Sequence, residues 1–465
     1  MFSAQTYSQR RRELCKNVQS GLIVILGNQE SPVNYPHNTY HFRQDSNFLY
    51  YFGLNQPGYI GVIDVDDNTD CVYANDFTLD DVIWMGKLPS VTELSAQVGV
   101  NCSKSLNDIH DAVNCAVKKG RKIHFLPPYR MENKVQLANL LGIKTPRVAD
   151  YVSEELMKAV VAQREIKSEE EIFQIDHACD IGYKMHTTAM RMCKPGVVER
   201  QIMGAIEGIS LQEGAGVSFA PIITINGQTL HNHYYGNTLA DGRMLLVDAG
   251  AENTMNYCSD STRTMPVNGK YTTKQKEIYD IVLRANQLVS NITKAGITYQ
   301  EVHIESLKEM GRGLHQLGLI KGDPIEAAMS GAVAMFMPHG LGHQIGLDVH
   351  DMEDLGERLV GYDAKTKRSE QPGLGALRMG KTLKPGHVIS NEPGLYFIPD
   401  LIAKWKQEKI CAEFIDFQKV EQYLDFGGVR IEDCLLVTND GCRVTGNNAI
   451  PITTQEVEEE MAKSL

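Results

Sequence analysis

Acidic side chains and imidazoles stand at the ends of apolar runs along the C-terminal two-thirds of the chain. The run Leu245-Leu246-Val247 reads as a strand that delivers Asp248 at its end, and Asp260 follows in Asp260-Ser261-Thr262-Arg263-Thr264. Either aspartate alone suits a turn. Pro338-His339-Gly340-Leu341-Gly342-His343 and Asp348-Val349-His350-Asp351 come next. A lone histidine is more often structural, but His339, His343 and His350 fall within twelve residues. The interleaved glycines suit a backbone that must bring imidazoles close to a ligand. Asn391-Glu392-Pro393-Gly394 sets a carboxylate at the end of the apolar Val388-Ile389. In Gly428-Val429-Arg430-Ile431-Glu432-Asp433 the strand period of two puts Arg430 and Glu432 on one face, so Arg430 is expected to hold Glu432 in place. Without a metal such a pair is an ordinary salt bridge.

These segments need a scaffold, and the sequence offers a repeated one. Ser168 with Glu171 makes a capping box, after which Ile172, Ile175, Cys179, Met185 and Met192 recur at roughly helical spacing until Lys194-Pro195-Gly196. Thr272 with Gln275 is a second box, continued by Ile278, Val282, Ala285, Val289 and Ile292 and stopped at Lys294-Ala295-Gly296. The segments 197–214 and 297–318 are again helical in pattern and end in glycine. We read an internal duplication of a helix-pair unit, with a site between the two halves. From about residue 15 to 150 short apolar strands such as Ile60-Gly61-Val62-Ile63-Asp64-Val65 alternate with turns and helices, which predicts a mixed α/β domain.

At 465 residues the chain exceeds one hydrophobic core, and two domains are expected, at 1–165 and 166–465. A net charge of -12 without a basic patch argues against a nucleic-acid surface. Arg10-Arg11-Arg12 followed by the apolar residues 22–26 imitates a signal peptide, but the run is too short and ends at Gly27-Asn28, so a buried strand is expected. No other stretch is long enough to span a bilayer. Ten cysteines without a CxxC spacing read as reduced, mostly buried thiols of a cytoplasmic protein.

The ordered set VDAG, DSTRT, HGLGH, NEPG and GVRIED resembles the metallopeptidases of the pita-bread fold, and among them most the Xaa-Pro peptidases. The N-terminal FRQDSNFLYYFG and VIWMG are similar to the first domain of aminopeptidase P and prolidase. The resemblance implies an α/β (α+β) fold: an N-terminal creatinase-like mixed α/β domain followed by a pseudo-twofold pita-bread catalytic domain. It implies Asp248, Asp260, His343, Glu392 and Glu432 as metal ligands, with Asp260 and Glu432 bridging two ions. Asp248 and Asp260 lie one residue further apart than the commonest family spacing, so their connection is expected to bulge. Where the family has one histidine upstream of the first aspartate, this chain has Leu230-His231-Asn232-His233. His231 is preferred, with His233 as the alternative. Charge counting supports the ligand set, since four converging carboxylates raise one another's pKa unless cations neutralise them. Mostly oxygen ligands with one imidazole suit Mn(II), with Co(II) or Zn(II) as substitutes.

Two such ions activate water and polarise a carbonyl, so peptide hydrolysis is the expected reaction. Similarity to the family implies that Glu392 also shuttles a proton, that His231 and His339 stabilise the oxyanion, and that His350 lines the substrate pocket. An Xaa-Pro bond lacks the amide hydrogen general peptidases read and requires a dedicated pocket. Arg378 stands where prolidases carry their carboxylate-binding arginine and would pair with the carboxylate of a dipeptide. FMPHGLGH, PGL..LR and FGGVRIE look more like prolidase than aminopeptidase P, so an Xaa-Pro dipeptidase is expected, with Xaa-Pro aminopeptidase as the alternative. A non-catalytic pita-bread binding protein and a creatine-cleaving enzyme are disfavoured by five intact ligands, and a methionine aminopeptidase by the large N-terminal domain. Trp84 matches a family position that often reaches the neighbouring subunit's site, which implies a homodimer; an ordinary core tryptophan is the alternative.

Overall fold

The apolar run Leu22–Leu26 forms an interior strand of a five-stranded sheet. It pairs antiparallel with Ile60–Asp64 and parallel with Ile123–His124, and Leu22 to Ile25 are buried. The basic triplet before it belongs to the helix Ala4–Val18. There Arg11 is 1% exposed and donates to Asp70 and to the carbonyls of Tyr51 and Val98. Arg11 ties the helix to the sheet through Asp70, a partner that a buried charge needs in place of water.

The computed structural model describes residues 1–464 of this mixed α/β chain, which divides into two compact units. The first comprises Met1–Arg164 with Asp354–Leu359; the second comprises Glu165–Glu353 and everything from Val360 onward. In the first unit the edge strand Ser103–Lys104 runs parallel to Thr69–Tyr73, with Val72 beside Ser103. That register sets Cys71 and Cys102 as neighbours, with Cα atoms 4.6 Å apart, and they form a disulfide. The expectation that all the cysteines are thiols is corrected here: strand pairing joins a pair that no local spacing announced. The other eight are free, four of them buried.

The second unit is built twice from the same parts. Its first half opens with Glu169–Met192, capped by the Ser168/Glu171 box, and Glu199–Glu213; its second half opens with Thr273–Ile292, capped by Thr272/Gln275, and Tyr299–Gln316. Both helix pairs turn through a glycine at positive φ, Gly196 at +88° and Gly296 at +90°. The repeat extends to single hydrogen bonds. The Gly196 amide donates to Leu239 and that of Gly296 to Leu383, each at 2.9 Å, and Val198 bridges Thr238 as Thr298 bridges Thr382.

Each half then supplies a three-stranded sheet. Met244–Asp248 pairs antiparallel with Thr262–Pro266 and with Ile222–Thr224; Val388–Asn391 pairs with Asp433–Val437, which continues to Cys442–Val444. A mutual bridge between Thr262 and Glu432, the residue before Asp433–Val437, joins the two halves. Behind each sheet, the first helix of its half holds a strand end. His186 Nε2 donates to the Ala249 carbonyl at 3.1 Å, and Asn286 Nδ2 reaches the carbonyls of Asn391 and Ile431 at 3.2 and 3.4 Å. Both residues are buried.

Asn286→Ala should therefore strand two buried carbonyls and lower stability by about 1–3 kcal/mol. Urea unfolding checks this, and a change below about 0.5 kcal/mol would show that Asn286 is not needed to hold the strand ends.

Candidate metal centre

The repeat explains why acidic residues meet. Asp248 ends the strand of the first half, Glu392 follows the equivalent strand of the second, and the Thr262–Glu432 bridge fixes Glu432 between them. Between Asp248 and Asp260 the chain forms a hairpin in which Glu252 bridges Cys258 and Asn256 takes a left-handed conformation at φ +63°. This turn absorbs the longer connection. The His343 segment is stitched to the Glu392 strand, with the His343 amide donating to Ser390 Oγ at 3.0 Å and the Ser390 amide to the His343 carbonyl at 2.9 Å. Only glycine fits at 342, because a Cβ there would lie 2.1 Å from the Ser390 carbonyl oxygen.

Asp260, His343 and Glu432 bring one ligand atom each within 4.8 Å of the others. His343 donates from Nδ1 to the Gln344 carbonyl at 3.1 Å, which leaves the lone pair on Nε2. That lone pair faces Asp260 Oδ2 at 3.5 Å and Glu392 Oε1 at 3.6 Å, so acceptors confront acceptors. The buried Asp248 Oδ1 and Asp260 Oδ1 have no hydrogen-bond partner. Burial, and then the charges of Asp248 and Glu392, push the Asp260 carboxyl well above the ordinary range. Glu432 is pushed the same way by burial and then by Asp260, Glu392 and Asp248. Orphaned carboxylate oxygens, a correctly oriented imidazole lone pair and mutual repulsion are what a cation would resolve, so the donor set fits divalent metal.

Arg430 is 4% exposed and sits in the same cluster, but its partner differs from expectation. The strand Gly428–Arg430 stops before Ile431, so the side-chain alternation does not run on to Glu432. The guanidinium instead donates to Asp248 Oδ2 and Thr262 Oγ1, and Glu432 Oε2 accepts from the Thr262 hydroxyl at 2.8 Å. Tyr396, which sequence reasoning missed, completes the arrangement. Arg430 Nη1 donates to its oxygen at 2.8 Å, and its hydroxyl lies 2.9 Å from His339 Nε2. Because His339 Nδ1 donates to the Gly340 carbonyl at 2.8 Å, Nε2 accepts the tyrosine proton. Burial, then Arg430, lowers the His339 pKa to about 4, so the ring is neutral at pH 7. The signal for Tyr396 was available only through pairing, since Gly394–Tyr396 runs antiparallel to Gly428–Arg430.

Asp248, Asp260, His339, His343, Glu392, Arg430 and Glu432 line a cavity of about 420 Å³ that also takes in His231, His233, His350 and Arg378. His231 and His233 both reach it, and burial followed by Arg430 lowers the pKa of His231. The His350 ring stacks on His343 with centroids 3.6 Å apart. Arg378 donates from Nη1 to Glu353 Oε2 at 2.7 Å and keeps 44% of its side chain exposed. Trp84 belongs to the first unit, on the helix Leu79–Met85, where it is 81% exposed. It is not a core tryptophan.

Comparison with known proteins agrees with this geometry. Residues 174–439 match metallopeptidase family M24, and residues 7–124 match the aminopeptidase P N-terminal domain. The human Xaa-Pro dipeptidase is 30% identical over 98% of this chain and 93% of its own length. A probable Xaa-Pro aminopeptidase of Fusarium vanettenii is 30% identical over 90% of this chain and 86% of its own. The structure of Escherichia coli aminopeptidase P with the inhibitor Pro-Leu superposes with a TM-score of 0.80 at 28% identity, covering 99% of this chain and 98% of the other. A fold of two matching halves, a carboxylate-rich centre where they meet and a family match across that region lead to one conclusion: the chain belongs to metallopeptidase family M24.

Proposed function

We propose that this metallopeptidase hydrolyses Xaa-Pro bonds on two divalent ions, most readily in Xaa-Pro dipeptides. The observation that carries the reading is the placement of the Arg378 cation on the wall of the cavity that holds the carboxylate cluster. Asp248, Asp260, His343, Glu392 and Glu432 would hold the ions, with Asp260 and Glu432 shared between them. The oxygen-rich set favours Mn(II), with Co(II) or Zn(II) able to replace it. When bound, the ions supply Lewis acidity at the scissile carbonyl and an activated water near neutral pH.

The chain's own groups do the rest. Glu392 is the partly exposed carboxylate of the cluster and takes the role of proton carrier, with its Oε2 3.7 Å from His339 Nδ1. His339 and His231 face the carbonyl side, with His233 as the alternative to His231, and His350 forms the substrate wall. Arg430 holds Asp248 and, through Tyr396, the tautomer of His339. The second reading, an Xaa-Pro aminopeptidase, draws support from the half-exposure of Arg378 and its existing pairing with Glu353. Relatives bear both names.

The same reading includes a cytoplasmic homodimer. Eight free cysteines against one disulfide favour the compartment, and no helix among the described residues is long and apolar enough to cross a membrane. Leu79, Ile83, Trp84 and Met85 leave 77%, 69%, 81% and 58% of their surface exposed on one short helix, a patch that a second copy would cover. Light scattering should give twice the chain mass, falling toward one chain mass in Trp84→Asp; a wild-type monomer at micromolar concentration would exclude the dimer.

Asp260→Asn and Glu432→Gln should each lower kcat by more than about a hundredfold, because they alter ligands rather than residues behind them. Verified metal removal at pH 7 should lower Tm by about 5 °C or more, and Mn(II) should restore it. Activity within tenfold of wild type in either variant, or an unchanged Tm, would contradict the ligand set.

Arg378→Ala decides the substrate. Half-exposure limits its pair with a carboxylate to about 1–2 kcal/mol, so kcat/KM for Gly-Pro should fall roughly five- to thirtyfold, with much less loss for Gly-Pro-Gly. Equal losses on both, or a wild-type preference for the tripeptide, would move the protein to the aminopeptidase reading.

A further inference from the structure

Arg378 does not face the cavity as a lone cation. Its Nη1 donates to Glu353 Oε2 at 2.7 Å, and Glu353 Oε1 lies 2.8 Å from His350 Nδ1, so one carboxylate links two residues of the cavity wall. The backbone is bent to make this possible. Met352, fully buried, adopts φ +63°, a conformation L side chains rarely take, immediately before Glu353 opens the turn Glu353–Leu355.

We propose that Glu353 is a specificity-determining residue that counterbalances Arg378 and thereby tempers the preference for a free carboxylate after proline. This rests on the reading of Arg378 as the partner of that carboxylate. Burial disfavours the Glu353 anion, but His350 and Arg378 outweigh it and hold the carboxyl below its ordinary range, so it is charged at pH 7. Arg378 and Glu353 thus set one positive and one negative charge in contact beside the cavity. A dipeptide carboxylate approaching Arg378 gains its attraction and meets the repulsion of Glu353 a few ångströms away. A substrate with an amide or a further residue at that place meets neither in full. Glu353 thus narrows the gap between short and long substrates without touching the carboxylate cluster.

The test compares Gly-Pro with Gly-Pro-NH2, which differ in charge at one group, on metal-loaded enzyme of matched metal content. Glu353→Gln keeps the size and polar contacts of the side chain and removes its charge, so the ratio of kcat/KM for Gly-Pro over the amide should rise about three- to tenfold. Glu353→Ala should move it in the same direction. The rise should shrink as salt is added, since an exposed charge is screened, and should vanish in Glu353→Gln combined with Arg378→Ala. A ratio that falls or stays constant in both Glu353 variants, while Arg378→Ala lowers it, overturns the proposal and leaves the carboxylate reading intact. Equal loss on both substrates also overturns it, by showing that Glu353 acts only through the position of His350. If Arg378→Ala leaves the ratio unchanged, the carboxylate reading fails and the proposal with it.

Discussion

Four carboxylates converge on one cavity with the buried guanidinium of Arg430 among them, and most other features of the second unit serve to keep them there. Like charges at such spacing push up one another's pKa and would rather separate, so their positions have to be imposed by the backbone. Short strands ending at the cluster do this. Asp248 and Glu392 stand at or beside strand ends, Glu432 is locked to Thr262 by two backbone hydrogen bonds and a hydroxyl, and Arg430 draws Asp248 in from the opposite side. The cluster is costly to assemble, and divalent cations would offset the repulsion among its carboxylates.

Duplication gives the economical route to such a cluster. One helix pair with a sheet brings two acidic groups to its edge, and a second copy facing it brings two more. The equivalence of Gly196 with Gly296 and of Val198 with Thr298 shows how closely the copies match. They differ where the chemistry needs asymmetry. His186 and Asn286 occupy corresponding places behind the strand ends but differ in type, and only the second half carries the imidazole of His343 between its helices and strand.

What was legible in the sequence follows from how local each signal is. The two capping boxes, the strand that ends in Asp248 and the buried run Leu22–Leu26 depend on residues a few positions apart, and all are present. The partner of Arg430 was misread because alternation within a strand was carried past the residue where that strand ends. Tyr396, Thr262 and the Cys71–Cys102 bridge depend on which strands pair and in what register, which periodicity within one segment does not contain. Glu353 depends on a left-handed methionine, a conformation that no sequence pattern near Met352 signals.

The same contrast between buried and exposed charge separates reaction from specificity. At the ligand cluster every charged group is largely removed from water, and loss of one partner leaves an uncompensated buried charge, a change worth about 3–5 kcal/mol. Beside the cavity Arg378 and Glu353 keep 44% and 24% of their side chains exposed, where a pair with a carboxylate is worth about 1–2 kcal/mol. On the proposed reading, substitutions at the first set would remove catalysis, whereas those at the second would shift the ratio between substrates. On that reading, the hydrolytic centre stays fixed while the residue after proline would be read by weaker, partly solvent-screened charges, an arrangement compatible with relatives that carry the names of both a dipeptidase and an aminopeptidase.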